Sequence, residues 1–244
     1  MTRQSPPGRA RKGAGHTARI VLDGQEIALS VRRNRRARRV SLRIDAANDC
    51  AVLVLPLQIS LSEGLGFAQS KAAWLRDRLN ALPRRTPFAD GARIPVLGKE
   101  YTIRHHPGLG PAVWREGTMI HVGGDEDTLG ARVRDWLGEV ARREITRRAR
   151  AKAAVLGKSL SRITLRDSRS RWGSCSANGN LAFSWRLILA PEEVLDYVVG
   201  HEVAHLAEMN HGPRHSRLVE RLVPDTVTPR AWLRRMGGSL LRYG

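Results

Sequence analysis

The chain has 244 residues, 41% hydrophobic and 27% charged, with a formal net charge of +19, and is long enough to bury a sizeable core. Two cysteines far apart in sequence, Cys50 and Cys175, exclude a disulfide framework and point to a reducing compartment, and no apolar run is long enough to span a bilayer; the expectation is a cytoplasmic protein with no membrane partner. The basic balance admits a nucleic-acid partner, but lysine is scarce and arginine is spread along the chain, so charge alone predicts only weak, sequence-independent, salt-sensitive phosphate attraction.

Residues 1–17 are rich in Arg, Gly and Pro without the apolar stretch of a secretory signal, and are expected to form a disordered basic tail. Residues 20–31 and 40–55 alternate in the manner of strands, with Val40, Leu42 and Ile44 set against Ser41 and Arg43. Between them the run Arg32-Arg33-Asn34-Arg35-Arg36-Ala37-Arg38-Arg39 reads either as a phosphate contact or as a solvated strand edge whose charge discourages strand addition. Residues 60–82 carry Leu61, Leu65, Ala68, Ala72, Leu75 and Leu79 at helical spacing and stop before Pro83. Residues 87–98 read as a turn-rich connector, 101–104 and 119–122 as short strands, and no internal repeat is expected. These assignments make residues 18–122 a β-rich N-terminal lobe.

The second lobe, residues 123–244, is expected to be mainly helical. A long helix is predicted over 125–156, with Leu129, Val133, Trp136, Leu137, Val140 and Ile145 on one side and arginines on the other. A strand at 162–166 follows. The Gly- and Asn-containing stretch 171–180 and the extended pattern at 181–185 then predict a β-hairpin. Ala190-Pro191-Glu192-Glu193 opens a further helix, with Pro at its start and carboxylates facing the positive end of its dipole. Met209-Asn210-His211-Gly212-Pro213 closes it. Two more helices are expected at 214–222 and 230–241.

That penultimate stretch carries the chemistry. In His201-Glu202-Val203-Ala204-His205 the two histidines stand four residues apart, so one helix face can aim both imidazoles at a single ion. Glu202 projects beside them as a general base that need not be a ligand. His211 arrives from the turn and approaches from another direction. An isolated HExxH arises by chance, but here a third histidine follows and a carboxylate sits in a largely apolar helix. Three histidines leave one zinc coordination position for water, as in a catalytic site.

Beyond the motif, Arg171-Trp172-Gly173-Ser174-Cys175-Ser176, Trp185-Arg186-Leu187-Ile188-Leu189-Ala190-Pro191, Val194-Leu195-Asp196-Tyr197-Val198-Val199 and HExxH with Met209-Asn210-His211 resemble the YgjP-like zinc metallopeptidases, a group similar to the SprT-like and WLM proteases. The resemblance covers most of the chain from about residue 20. It implies an α+β fold: a zincin-like metallopeptidase domain with an active-site helix preceded by a β-hairpin, in which His201, His205 and His211 bind Zn2+, Glu202 is the catalytic base and the partner is a peptide or protein substrate. One departure stands out. Members of the family carry an aromatic pair shortly after the third histidine, where this chain has His215-Ser216, so His215 is a competitor to His211 for the metal or a residue facing solvent.

Around this centre, Tyr197 is either a hydroxyl near the substrate oxyanion or core filler, and Glu208 either orients a histidine or is a solvated helix-end carboxylate. Trp172 and Trp185 read as packing residues, Arg171 and Arg186 as structural ones, and Cys175 as a small buried residue. Two other functions compete with peptide hydrolysis. One is a metal-dependent nucleotide pyrophosphatase or phosphohydrolase in which Arg169 or Arg171 neutralises phosphate; it ranks lower because no glycine loop cradles phosphate. The other is a basic nucleic-acid-associated module.

Overall fold

The computed structural model describes residues 16–110, 112–169 and 171–244. The tail expected at 1–17 lies outside them except for His16 and Thr17, which open the first strand. The chain divides into two compact units between Leu82 and Pro83, rather than after residue 122, because the later sheet shares a core with the C-terminal helices.

The N-terminal unit holds β1 (His16–Leu22), β2 (Gln25–Arg33), β3 (Ser41–Asp45) and β4 (Cys50–Leu55) in the order β1-β2-β4-β3. Two antiparallel hairpins meet at a parallel β2–β4 pairing. Ile27, Leu29, Val31, Leu53 and Leu55 point to one face, where helices α1 (Leu61–Ser70) and α2 (Ala72–Asn80) cover them with Ala68, Ala72 and Leu75. The single helix expected at 60–82 is broken at Lys71, whose φ of −110° and ψ of 10° leave the helical region, and Ala68 and Ala72 on either side of the break are both buried. Ser60 and Glu63 close a reciprocal capping box at the start of α1.

The C-terminal unit begins with the same device. Strands β5 (Arg93–Val96), β6 (Lys99–His106), β7 (Val113–Glu116) and β8 (Met119–Gly123) take the order β5-β6-β8-β7, again two antiparallel hairpins joined by a parallel pair. A structural repeat is therefore present where the sequence predicts none. Its local trace is the two-residue turn Asp23-Gly24, matched by Leu97-Gly98, with positive φ at all four residues. β5 occupies part of the expected connector; Pro95 is tolerated there because β5 is an edge strand. The Leu97 amide donates to the Ile188 carbonyl at 2.8 Å, tying this hairpin to the segment that leads into the HExxH helix.

Helix α3 (Glu126–Val155) lays a stripe of Leu129, Val133, Leu137, Ala141, Ile145, Ala149 and Ala153 against the core. A three-stranded sheet, ordered β10-β11-β9, follows from β9 (Arg162–Arg166), β10 (Gly173–Cys175) and β11 (Asn180–Ser184); β10 and β11 form the expected hairpin. A 3-10 turn (Trp185–Leu189) then leads to α4 (Glu192–Ala204), α5 (Pro213–Leu222), α6 (Val227–Met236) and a last 3-10 turn (Gly237–Arg242), so the helix expected to run to 241 stops at Met236. Among the described residues no helix is long and apolar enough to cross a membrane. Both cysteines are free.

Ion pairs fix α4 to α3. The Arg148 guanidinium, 6% exposed, meets Glu144, Glu192 and Asp196. Lys152 Nζ reaches Asp196 at 2.9 Å and the Leu222 carbonyl at 2.6 Å, which adds the end of α5. Arg186 is structural too: it pairs with Asp167, stacks over Trp185 and donates to the Leu240 and Tyr243 carbonyls. Only the guanidinium is buried, its carboxylates being part-buried or exposed, so Arg148→Ala loses that packing and the shared cation and is expected to destabilise the protein by about 2 kcal/mol in urea denaturation, whereas exposed Arg147→Ala should stay within about 0.5 kcal/mol. Equal midpoints for the two variants would contradict the bridging role.

Candidate metal centre and active site

Helix α4 is apolar on most of its surface, with Val194, Leu195, Val198, Val199 and Val203 buried, and so is held rigidly in the core. It ends at Ala204, one residue before the second histidine of the motif, and His205 is its C-cap at φ −65°, ψ −15°. The remaining near-helical geometry keeps His205 one turn from His201, while the chain is already free to turn. That turn brings His211 back over the helix end.

Three imidazole nitrogens converge as a result. His211 Nε2 lies 3.2 Å from His201 Nε2 and 3.2 Å from His205 Nε2. Tetrahedral zinc with nitrogen ligands at about 2.0–2.1 Å needs nitrogens about 3.3 Å apart, and both distances to His211 match that spacing, with all three donor atoms within 4.8 Å of one another. Among the described residues these three are the group of His, Cys, Asp and Glu whose donor atoms gather closely enough for a metal. His205 Nδ1 donates to the Glu208 carbonyl at 3.0 Å, which leaves its Nε2 lone pair facing the cluster. Glu208 thus orients a histidine through its main chain, while its carboxylate accepts from the Asn210 amide.

Burial suppresses the protonation that would push these rings apart. His201 is lowered to about 4, by desolvation first and then by its neighbours His215, His205 and His211. Burial likewise lowers His205. Both rings are neutral near pH 7.

His215 is 3% exposed rather than solvent-facing, with its ring 4.1 Å from that of His205. Its Nε2 donates to the His201 carbonyl at 3.2 Å. Its ring therefore braces the helix end instead of joining the converging nitrogens. Elsewhere, His106 Nε2 and His121 Nδ1 approach to 2.7 Å beside Trp114, and among the described residues no third donor gathers with them as a metal group.

Glu202 points away from solvent, 7% exposed, toward β10. A Cβ on Gly173 would stand 2.5 Å from Glu202 Cγ, so only glycine lets the hairpin pass this close. Burial raises Glu202 to about 7, with Arg171 opposing the rise. Arg171 thus bears on the carboxylate, Arg169 is exposed, and Cys175 is half-buried with its thiol raised by burial and by Glu202. A cavity of about 450 Å³ opens beside His201, His211 and His215, walled further by Tyr197, Thr226 and Arg230. Arg230 has no distinguishing signal in sequence; it is one of 42 lysines and arginines, brought here by the packing of α6 on α4.

The unfolded Glu202 carboxyl ionises near 4.5 and the folded one near 7, so between those values the folded state holds a proton the unfolded state has lost. This group's contribution is therefore favourable below pH 4.5 and is lost as pH rises toward 7. In zinc-free protein Glu202→Gln should gain stability over the parent by about 2 kcal/mol between pH 5 and pH 8. A difference that stays constant with pH in urea titrations would contradict the burial of an ionisable Glu202.

No curated protein sequence matches the chain. Among solved structures, the metallopeptidase zymogen of Pyrococcus abyssi abylysin shares 21% identity over 38% of this chain and 92% of its own, at a TM-score of 0.34, which is too distant to carry an argument. The profile of the YgjP-like metallopeptidase domain matches residues 38–236. With that match over most of its length, the chain belongs to the YgjP-like metallopeptidase family.

Proposed function

We propose that the protein is a zinc-dependent peptidase of the zincin type in which His201, His205 and His211 hold the ion and Glu202 is the general base. The observation that carries this reading is the convergence of three imidazole nitrogens next to a buried carboxylate that is not among them. Bound by such a set, zinc supplies Lewis acidity, lowering the pKa of water toward neutrality and polarising a carbonyl.

The remaining roles belong to the protein. Glu202, poised near neutral pH, takes the proton from the attacking water and delivers it to the departing amine. Tyr197 and Arg230 line the cavity next to His201, where a hydroxyl and a cation favour negative charge growing on the carbonyl oxygen. The edge strand β10 orients the chain to be cut. Ser184 N donates to Trp172 O and Ser176 N to Asn180 O, so the alternation of the ladder turns the N–H and C=O of Gly173 and Cys175 outward. An extended peptide paired to that edge is held by its main chain, with little demand on its sequence.

Two outcomes follow. His201→Ala, His205→Ala and His211→Ala should each lose the zinc that the parent binds one per chain, while His215→Ala should keep it; elemental analysis after dialysis decides, and metal lost from His215→Ala but kept by His211→Ala would reverse the choice of third ligand. Glu202→Gln should retain zinc and fold while peptide hydrolysis falls by about 10²–10⁴. The same assays run on nucleoside triphosphates test the competing phosphohydrolase reading: Glu202-dependent release of pyrophosphate with no peptide cleavage would overturn the peptidase proposal.

A further inference from the structure

We infer that the N-terminal unit carries a second functional surface, independent of the zinc centre: the arginine-rich end of its sheet is a docking face for the sugar-phosphate backbone of a nucleic-acid duplex.

Seven arginines and no carboxylate lie between Arg32 and Arg43. Arg33 is used by the fold. It stands opposite Leu55 on the helix-covered side and its guanidinium donates to the carbonyls of Leu57 and Ile59 at 3.1 and 2.9 Å, ahead of α1. The other six, Arg32, Arg35, Arg36, Arg38, Arg39 and Arg43, are exposed, and among the described residues none has an ion pair or a side-chain hydrogen bond. Nearby carboxylates are engaged elsewhere: Asp23 with Arg76 and Glu26 with Arg19, both at 2.7 Å, Glu63 in its cap, and Asp45 within its own turn.

The strand register puts these charges together. Arg32 pairs with Val54 and Val54 with Ser41, while Arg43 pairs with Val52 and Val52 with Ser30, so Arg32 and Arg43 share the sheet face opposite the helices. Two strand spacings and one two-residue step separate them by roughly 12 Å, about the width of a B-form major groove. The loop bearing the other four is anchored rather than loose. Asn34 N donates to Leu55 O at 2.9 Å, Ala37 N to Asn34 O at 3.1 Å, and Asn34 Oδ1 accepts from Arg36 N at 2.9 Å.

The character of the face selects its partner. Ser30, Ser41 and Val54 lie around the arginines, Val52 is buried, and no strand of this sheet contains Phe, Tyr or Trp. Without an aromatic platform there is nothing on which unpaired bases stack, which disfavours single strands. Exposed guanidiniums carried on an anchored backbone instead suit the regular phosphates of a duplex, read without regard to sequence.

The test is fluorescence anisotropy of the full, zinc-loaded chain with labelled DNA and RNA duplexes of about two helical turns over a salt series, beside the single strands and vesicles of anionic lipid. The loop variant Arg35→Gln/Arg36→Gln/Arg38→Gln/Arg39→Gln should bind duplex at least about tenfold more weakly at low salt, with a slope against log salt shallower by about 3. A charge-matched control on exposed positions of α3, Arg134→Gln/Arg142→Gln/Arg143→Gln/Arg150→Gln, should stay within about twofold. Arg32→Gln/Arg43→Gln, placed on paired strands, tests the face independently of the loop and should also weaken binding. Equal losses in the loop variant and the α3 control, preference for single strands or vesicles over duplex, or no duplex binding by the parent at low salt would each overturn the proposal.

Discussion

The Nε2 atoms of His201 and His205, each 3.2 Å from His211 Nε2, can join it in offering lone pairs to one ion only while none of the three carries a proton. Protonating one places a cation against its neighbours in a partly desolvated pocket, and the rest of the C-terminal unit meets this constraint. α4 is buried in an apolar core, which lowers His201 and His205, and the Glu208 carbonyl takes the one N–H that His205 offers. The same burial acts in the opposite direction on Glu202, raising it to about 7 so that it can take up and release a proton near neutral pH. One environment thus prepares neutral donors and a poised acid–base group side by side.

Precision at the helix end depends on parts far away in sequence. α4 cannot rotate or slide without disturbing the Arg148 and Lys152 pairings to α3, and the close pass of Gly173 over Glu202 limits how the hairpin sits above it. The Leu97 turn, fixed to Ile188, holds the approach to α4 from its other end. His215 completes the arrangement by tying α5 to the His201 carbonyl, so a residue that reads in sequence as a rival to His211 holds the backbone of one of the converging histidines.

Much of the centre is legible in sequence because its information is local. His201 and His205 are related by helical period, and His211 follows across a turn marked by Asn210, Gly212 and Pro213. The hairpin before the helix and the long α3 stripe are legible for the same reason: periodicity and turn chemistry act over a few residues. What escapes is long-range. Nothing local says that Gly173 faces Glu202 or that Arg148 meets Glu192, and Arg230 looks like any other arginine. The repeat of two hairpins is hidden because strand order is set by pairing between distant segments, and its sequence trace shrinks to a two-residue turn. The break at Lys71 is likewise a tertiary effect, since the apolar spacing through residues 61–79 is that of one helix.

The central claim is that the ion is held by the three histidines of the α4 end and by no other side chain. X-ray absorption spectroscopy of the zinc-loaded protein tests it most directly. The account predicts three imidazole nitrogens and one further oxygen at about 2.0–2.1 Å. A shell of four imidazoles, which would enlist His215, or a sulfur at about 2.3 Å, which would enlist Cys175, would contradict it.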